Sequence, residues 1–378
     1  MKFFHLSDLH LGMRLNDFSM LEDQRHILIE IVRHAKEYKP DAVFICGDVY
    51  DKSIPSVEAV QLLDRFLVWL NELGIAIYLI SGNHDSAERV SFAASLLEMS
   101  NVHISQVYSG SITPLSIEDE FGQVNIWMLP YLKPSTVRPH FRDKVIVSFS
   151  DAVSSALSNI EIDIASRNIL LTHQFVTGAI RSESEELYVG GAENVDATLF
   201  NAFDYVALGH LHRPQFIIRP SLRYCGTPLK YSLSEIDHIK SITAVDMGAK
   251  GEATISEIPL SPIREIREIR GTYKEITAQR NYLNTNVDDY VYIVLTDDNE
   301  EPDAVIKLRN IYPNIMRLRY DNKRTQTNMS VITAARTDSK EPIDLLGELY
   351  EIQNGQPMSQ TQKDYALSLL VRIKEENA

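Results

Sequence analysis

The sequence predicts an α/β protein: two β-sheets packed face to face with helices outside, followed by a small α+β cap domain and a helical C-terminal tail. Three observations predict it. Apolar runs alternate with helical spacing over roughly the first 80 residues, as in parallel strands joined by crossover helices. Several of those runs end in a polar cluster instead of a bland turn. The texture then changes near Val102, to short β-rich runs, and again near Ser261-Pro262, to a compact unit of βαβαβ order.

Lys2 to Leu6 reads as the first strand, and the turn after it carries Ser7-Asp8-Leu9-His10. Asp8 and His10 are two apart, so an extended backbone would point both to one side. Met20 to Lys36 has helical spacing, and Pro40-Asp41 breaks into a second strand, Ala42–Cys46, which ends in Gly47-Asp48-Val49-Tyr50-Asp51. A second helix starts near Pro55-Ser56, with Pro suited to its first turn, and Gly74 stops it. The third strand, Ile75–Ile80, leads into Gly82-Asn83-His84-Asp85. Further strands are expected at Val102–Ile104, Ser111–Ile117 and Val124–Leu129. A Ser-capped helix, Ser150–Ile160, precedes Ile169–Leu171, which ends in Thr172-His173. A long loop, Val176–Asn194, is expected to cover the strand ends. Tyr205–Leu208 ends in Gly209-His210-Leu211-His212, and strands follow at Phe216–Ile218, Leu222–Cys225 and Ile242–Asp246.

The cap reads as a strand at Ile263–Ile269, a helix near Tyr273, a strand at Tyr290–Leu295, a helix at Asp303–Ile311 and a strand at Ile315–Tyr320. Asp321–Lys340 is polar and reads as a linker. Two amphipathic pieces, Ile343–Ile352 and Asp364–Ile373, close the chain. The expected divisions are 1–262, 263–325 and 326–378.

Composition excludes some classes. No apolar run approaches the roughly 18–20 residues that span a bilayer, so no membrane association is expected. The N-terminus enters a strand-like run directly, so no signal peptide is expected. Cys46 and Cys225 are the only cysteines, each in a strand-like context, which suits a reducing cytoplasm. A net charge of −15 argues against a DNA-coating protein, which would be basic. It leaves room for an enzyme that meets phosphate through bound cations, part of the acidity then being ligand charge.

Five clusters end five buried strands: Asp8/His10, Asp48/Asp51, Asn83/His84/Asp85, His173 and His210/His212. Alone, an Asp-x-His pair arises by chance in many loops, and His173 reads as a core histidine. The ordered set is what points to a site. Crowded carboxylates repel and are costly to bury unpaired, and divalent cations resolve that conflict. Mixed imidazole and carboxylate donors suit Mn, Fe or Zn. The donor count exceeds one ion with open positions, so two ions sharing Asp48 is the economical reading, and such a pair suits phosphoester hydrolysis. His5, His26, His34, His103, His140 and His238 lack this context. Arg14, Lys52, Arg89 and Arg181 follow ligand clusters and are candidates for phosphate contact, although a solvated surface charge is the commoner role.

Asp8-x-His10, Gly47-Asp48-x-x-Asp51, Gly82-Asn83-His84-Asp85, His173 and Gly209-His210-x-His212 together resemble the calcineurin-like metallophosphoesterase superfamily. The stretches Phe4–Gly12, Val206–Gln215 and Cys225–Glu235 are closer still to the SbcD-type nuclease subunits. The resemblance implies a metallophosphoesterase sandwich. It implies that Asp8, His10, Asp48 and His212 hold one metal, and that Asp48, Asn83, His173 and His210 hold the other. It implies that His84 is a catalyst outside the metal ligands and that Asp51 orients it. It further implies two Mn2+ ions and ATP-linked 3′→5′ exonuclease action on duplex DNA ends. Endonuclease action on hairpins or single strands, in DNA repair, recombination and replication, is implied as well. The implied partners are an SbcC-type ATPase subunit bound by the tail, DNA, and a second copy of the chain as a homodimer, in a cytoplasmic, nucleoid-associated setting. The residues alone leave open a phosphoesterase acting on a non-DNA substrate, or a metal-binding scaffold.

Overall fold

The computed structural model describes residues 1–182, 194–322, 343, 346–347, 350–351 and 357–376. In chain order the elements begin with β1 (Lys2–Leu6), the short hairpin β2–β3 (Arg14–Leu15, Phe18–Ser19), α1 (Leu21–Tyr38), β4 (Ala42–Cys46), α2 (Val57–Glu72) and β5 (Ala76–Ile80). Next come β6 (Val102–Ile104), β7 (Leu115–Asp119), β8 (Gly122–Leu129), a helix at Phe149–Leu157, β9 (Arg167–His173) and β10 (Tyr205–Gly209). The β-rich part ends with β11 (Gln215–Ile217), β12 (Arg219–Tyr224), β13 (Ser241–Met247) and β14 (Ala253–Pro259). Then follow β15 (Ile266–Gly271), β16 (Tyr290–Leu295), a helix at Ala304–Arg309, β17 (Ile315–Tyr320) and a helix at Gln360–Glu376.

Two six-stranded sheets carry the first 260 or so residues, in the orders β14-β13-β1-β4-β5-β6 and β11-β12-β10-β9-β8-β7. In the first, β1, β4, β5 and β6 are parallel and β13 runs antiparallel to β1. In the second, β8, β9, β10 and β12 are parallel, with antiparallel edges at β7 and β11. Both faces of the central strands are buried, which is why they read as continuous apolar runs. Alternate residues divide between two cores. Phe3, Phe44, Cys46, Tyr78 and Ile80 meet Ile169, Leu171, Tyr205 and Ala207 between the sheets. Phe4, Val43, Ile45, Ile77 and Leu79 face α1 and α2 on the outside. Helix α2 buries Leu62, Leu63, Phe66 and Leu70 there, at about 1.5–3 kcal/mol for each side chain removed from water.

Parallel strands with crossover helices place all their carboxyl ends on one edge, where open α/β sheets bind ligands. That edge also carries strained backbone. Among the described residues ten non-glycines have positive φ, and four of them, Asp8, His10, Asp48 and His210, are in the predicted site. Such strain clusters where a surrounding structure holds side chains in set positions.

Several details differ from the sequence expectation, each for a local reason. Ser56 rather than Pro55 caps α2, its Oγ accepting from the Ala59 N–H at 3.3 Å, so Pro55 lies ahead of the first turn. The strand expected at Ser111–Ile117 begins at Leu115, after Pro114, which has no N–H for the ladder. The strand expected from Ile263 begins at Ile266, because Arg264 sits in a bend and pairs with Glu22 and Asp23. The hairpin β2–β3 is two residues per strand, too short for a periodic signal. β14 is an edge strand with few apolar residues.

The chain forms two compact units, Met1–Ile269 with Asn284–Tyr292 and Leu308–Arg317, and Arg270–Leu283 with Ile293–Lys307 and Leu318–Ala378. In the second, Thr272 and Glu275 form a capping box at the start of a short helix. Most of the expected linker (323–340), the middle of the loop expected over the site (183–193) and most of the first tail piece lie outside the described residues.

Candidate metal centre

The loops after β1 and β4 run side by side. Asp8 N–H donates to the Gly47 carbonyl at 3.0 Å, His10 N–H to Asp48 O at 2.9 Å and Leu11 N–H to Val49 O at 2.9 Å. Asp8 and His10 do come together, but through left-handed turns at φ 53° and 44° rather than on extended backbone. Asp85 locks the next loop onto these two. Its carboxylate accepts from the N–H groups of Val49 (3.1 Å), Tyr50 (3.0 Å) and Gly82 (2.9 Å). Burial, with the charge of Asp48 nearby, pushes its carboxyl up to about 6. Asp85 therefore shapes the turn.

Three glycines let the strand ends approach. A Cβ at Gly47 would strike the His173 ring, one at Gly82 would strike the Asp48 carboxylate, and one at Gly209 would strike the Cys46 carbonyl and His173. We expect Gly209→Ala to cost on the order of 1–3 kcal/mol or more, the range for overpacking a filled interior. Denaturant unfolding of the metal-free chain checks this, and an unchanged midpoint would show that β4 and β10 can part without loss.

Asp48 is the hub. Its Oδ1 accepts from His84 N–H at 2.9 Å. Its Oδ2 lies 3.3 Å from His173 Nε2, 3.8 Å from His10 Nε2 and 4.0 Å from His84 Nε2. Asn83 Oδ1 lies 2.9 Å from both His173 Nε2 and His210 Nδ1. Asp8 accepts from His210 N–H at 3.0 Å and from Ser7 Oγ at 2.5 Å. Among the described residues, side-chain donors close enough to share an ion form three groups: Asp8, His10 and His212; His10, Asp48 and His84; Asp48, His173 and His210. All seven predicted ligands thus converge, and the His10–Asp48 contact joins the first and last groups.

The electrostatics suit cations. Burial raises Asp8, with Asp48 adding to the effect, and drives His10 well down. Burial opposes a charge on His173, but the Asp48 carboxylate outweighs it and pushes the ring up to about 9. His210 is pushed down to about 3 by burial and by His173. Protons and hydrogen bonds thus stand in for positive charge among buried acids. Neither ring nitrogen of His10 has a hydrogen-bond partner among the described residues, though both are buried. A buried polar atom without a partner calls for an explanation, and an ion at the shared donor position supplies one. The residues present therefore fit divalent metal.

His84 differs from its neighbours. Its side chain is 27% exposed, against 3% for His10, 0% for His173 and 6% for His212. Its Nδ1 lies 3.0 Å from the Asp51 main-chain carbonyl, so Nδ1–H donates there and Nε2 faces the site. Asp51 does meet His84, but with its backbone and not with the expected carboxylate. Beside them an open cleft of about 450 Å³ is lined by Asp51, Lys52, Ser53, Ile54, Asn83 and His84. Of the other cations named from the sequence, Arg89 Nη1 donates to Ser53 O at 2.8 Å, and Arg14 donates to Asp17 O. Arg181 lies 3.6 Å over the Phe175 ring, which is 6.5 Å from the His210 ring.

Three participants escape sequence reading. The Cys46 carbonyl, 2.8 Å from His173 Nδ1, is backbone and leaves no signal. Tyr131, in the loop after β8, packs 6.4 Å from the His210 ring and 6.0 Å from that of His173. Glu235 lies 3.0 Å from His212 Nδ1. Its context, Ser232-Leu233-Ser234-Glu235, reads locally as an exposed capping box.

Residues 1–214 match the calcineurin-like phosphoesterase family, and residues 262–354 match the family described as the type 5 capsule protein repressor C-terminal domain. The SbcD subunit of the nuclease SbcCD of Staphylococcus epidermidis is 35% identical over 374 residues, 98% of each chain. Among solved structures, a dimetal phosphatase from Danio rerio aligns at TM-score 0.41 and 10% identity, covering 70% of this chain and 98% of that one.

Proposed function

Because the chain belongs to the calcineurin-like phosphoesterases, and to the family of the SbcD subunit of the SbcCD nuclease, we propose that this phosphodiester hydrolase is a two-metal, Mn2+-dependent DNA nuclease. Its reactions are 3′→5′ exonuclease action on duplex ends and endonuclease action on hairpins and single strands, in DNA repair, recombination and replication. Asp48 is the observation that carries the reading: one buried carboxylate oxygen lies within reach of histidines from both ligand groups.

Asp8, His10, Asp48 and His212 would hold one ion, and Asp48, Asn83, His173 and His210 the other. When bound, such ions stabilise phosphoryl charge as Lewis acids and lower the pKa of water. The rest falls to the chain. Asp85 holds the loops after β4 and β5 in register. The Asp51 carbonyl fixes the His84 ring, so that Nε2 of its cationic form can pass a proton to the leaving oxygen in the cleft.

The nuclease domain is assigned to 1–262, a DNA-contact cap to 263–325 and an SbcC-type ATPase-binding tail to 326–378. Support for the tail is the outward placement of Tyr365, Leu367 and Leu369 on Gln360–Glu376. A homodimer is supported by exposed apolar residues at Val57 and Val60 on α2 and at Phe92, Leu96 and Met99, the last 89% exposed. No helix among the described residues is long and apolar enough to cross a membrane; a cytoplasmic, nucleoid-associated location goes with the DNA substrate.

The test is direct. The pure chain with Mn2+ and end-labelled duplex DNA, with and without an SbcC-type ATPase and ATP, is expected to release label from 3′ ends, most strongly with both present. A small phosphodiester serves as control. Cleavage of the control alone in every condition would point to a non-DNA substrate.

A further inference from the structure

We propose that Glu235, itself set by Lys240, positions His212 for one ion, so that this buried ion pair governs the affinity of that metal site and not the other. The inference rests on the two-ion reading above.

His212 Nδ1 lies 3.0 Å from Glu235 Oε1, and both side chains are buried. A neutral imidazole that donates Nδ1–H to a carboxylate must offer its lone pair at Nε2. The ring is thereby fixed in tautomer and orientation, and a carboxylate behind it makes the ligand nitrogen more basic.

Glu235 is held in turn. Lys240 Nζ lies 2.5 Å from Glu235 Oε2, 2.6 Å from Thr227 Oγ1 and 2.9 Å from the His212 carbonyl, which engages three donors of one ammonium. The Tyr231 N–H and Ser232 Oγ approach Oε1 at 3.4 Å. Both Glu235 carboxylate oxygens are thus engaged by buried nitrogen groups, Oε1 by His212 and Oε2 by Lys240. Lys240 thus binds both the carboxylate and the backbone of the histidine that the carboxylate orients. His173, proposed for the other ion, rests its Nδ1 on the neutral Cys46 carbonyl instead. His212 and His173 therefore differ in the charge of the group behind them.

A buried ion pair could also serve only to hold Thr227–Lys240 in place, and Glu235→Gln alone would leave the Lys240 ammonium buried and uncompensated. The informative variant is E235Q/K240M, which removes both charges at similar volume, a change proteins often tolerate. Manganese titrations followed by calorimetry and by electron paramagnetic resonance read the sites without turnover. The wild-type chain is expected to take up two ions with a spin-coupled signal. The double variant is expected to bind one ion as the wild type does and the other about 10–100-fold more weakly, giving an uncoupled signal at one equivalent.

Two wild-type affinities in the variant would reduce the pair to a structural clamp and overturn the proposal. Equal weakening of both ions would overturn it too. Uptake of one ion by the wild-type chain is a separate result, which would overturn the two-ion reading and this inference with it. If the double variant does not fold, the unaltered chain answers the question. With Zn2+ bound, histidine nitrogen spectra are expected to show His212 coordinated at Nε2 with Nδ1 protonated. Coordination through Nδ1 would overturn the assignment.

Discussion

Replacing Asp48 with alanine is expected to empty both metal positions at once and to abolish hydrolysis. No other candidate ligand should do this alone. Asp48 Oδ2 is the atom within 3.8 Å of histidines from both groups, whereas Asp8 and His212 are grouped with His10, and His210 with His173. The metal-free protein should tolerate the change better than its burial suggests. Asp48 adds to the upward pressure on both Asp8 and Asp85, so its removal relieves repulsion while costing His173 its nearest carboxylate and the His84 N–H its acceptor. Melting with and without metal separates these effects. A ligand at 100 times its Kd stabilises a fold by about 2.7 kcal/mol per site. The wild-type chain should therefore melt higher with Mn2+ present, and Asp48→Ala should melt alike in both conditions. A variant that still gained stability from Mn2+ and bound one ion tightly would show that the groups are independent and that Asp48 is not shared.

How far this centre is legible in sequence depends on the kind of atom involved. Side chains at the ends of buried strands are legible, because an apolar run stopping at Asp, Asn or His conflicts with burial unless something there uses the polar group. Asp8, Asp48, Asn83, His173 and His210 all announce themselves in that way. The strands β1, β4 and β16, buried on both faces, are likewise found at their bounds, and so are β6 and β17, which are only partly buried. Backbone participants leave no trace. The Cys46 carbonyl behind His173 and the Asp51 carbonyl behind His84 would be the same with other side chains there. Glu235 is a third case. Its residue type is visible, but its local context describes a helix start, and only the tertiary fold turns the carboxylate inward to His212. The polar edge strand β14 and the hairpin β2–β3 escape because they bury too little for periodicity to register.

The second large effect separates chemistry from metal binding at one residue. His84→Ala is expected to lower kcat on DNA by about 10²–10⁴, the range for a positioned general acid, while two ions remain bound. Its geometry argues for this split. His84 could join His10 and Asp48 around an ion, but its Nε2 is 4.0 Å from Asp48 Oδ2, and its side chain opens onto the cleft while the ligand histidines are shut in. If it delivers a proton to the leaving oxygen, the loss must depend on how much that oxygen needs one. A nitrophenyl phosphodiester, whose leaving group departs without help, should lose far less than DNA does. Asp51→Asn supplies the second arm. The contact to His84 Nδ1 is the Asp51 carbonyl, so the change in side chain should leave most of the activity, whereas a carboxylate acting as the orienting group would make it nearly as damaging as His84→Ala. Loss of an ion from His84→Ala, or equal loss on both substrates, would make His84 a ligand rather than an acid. The divide between the closed ligand histidines and the open one would then have no catalytic meaning.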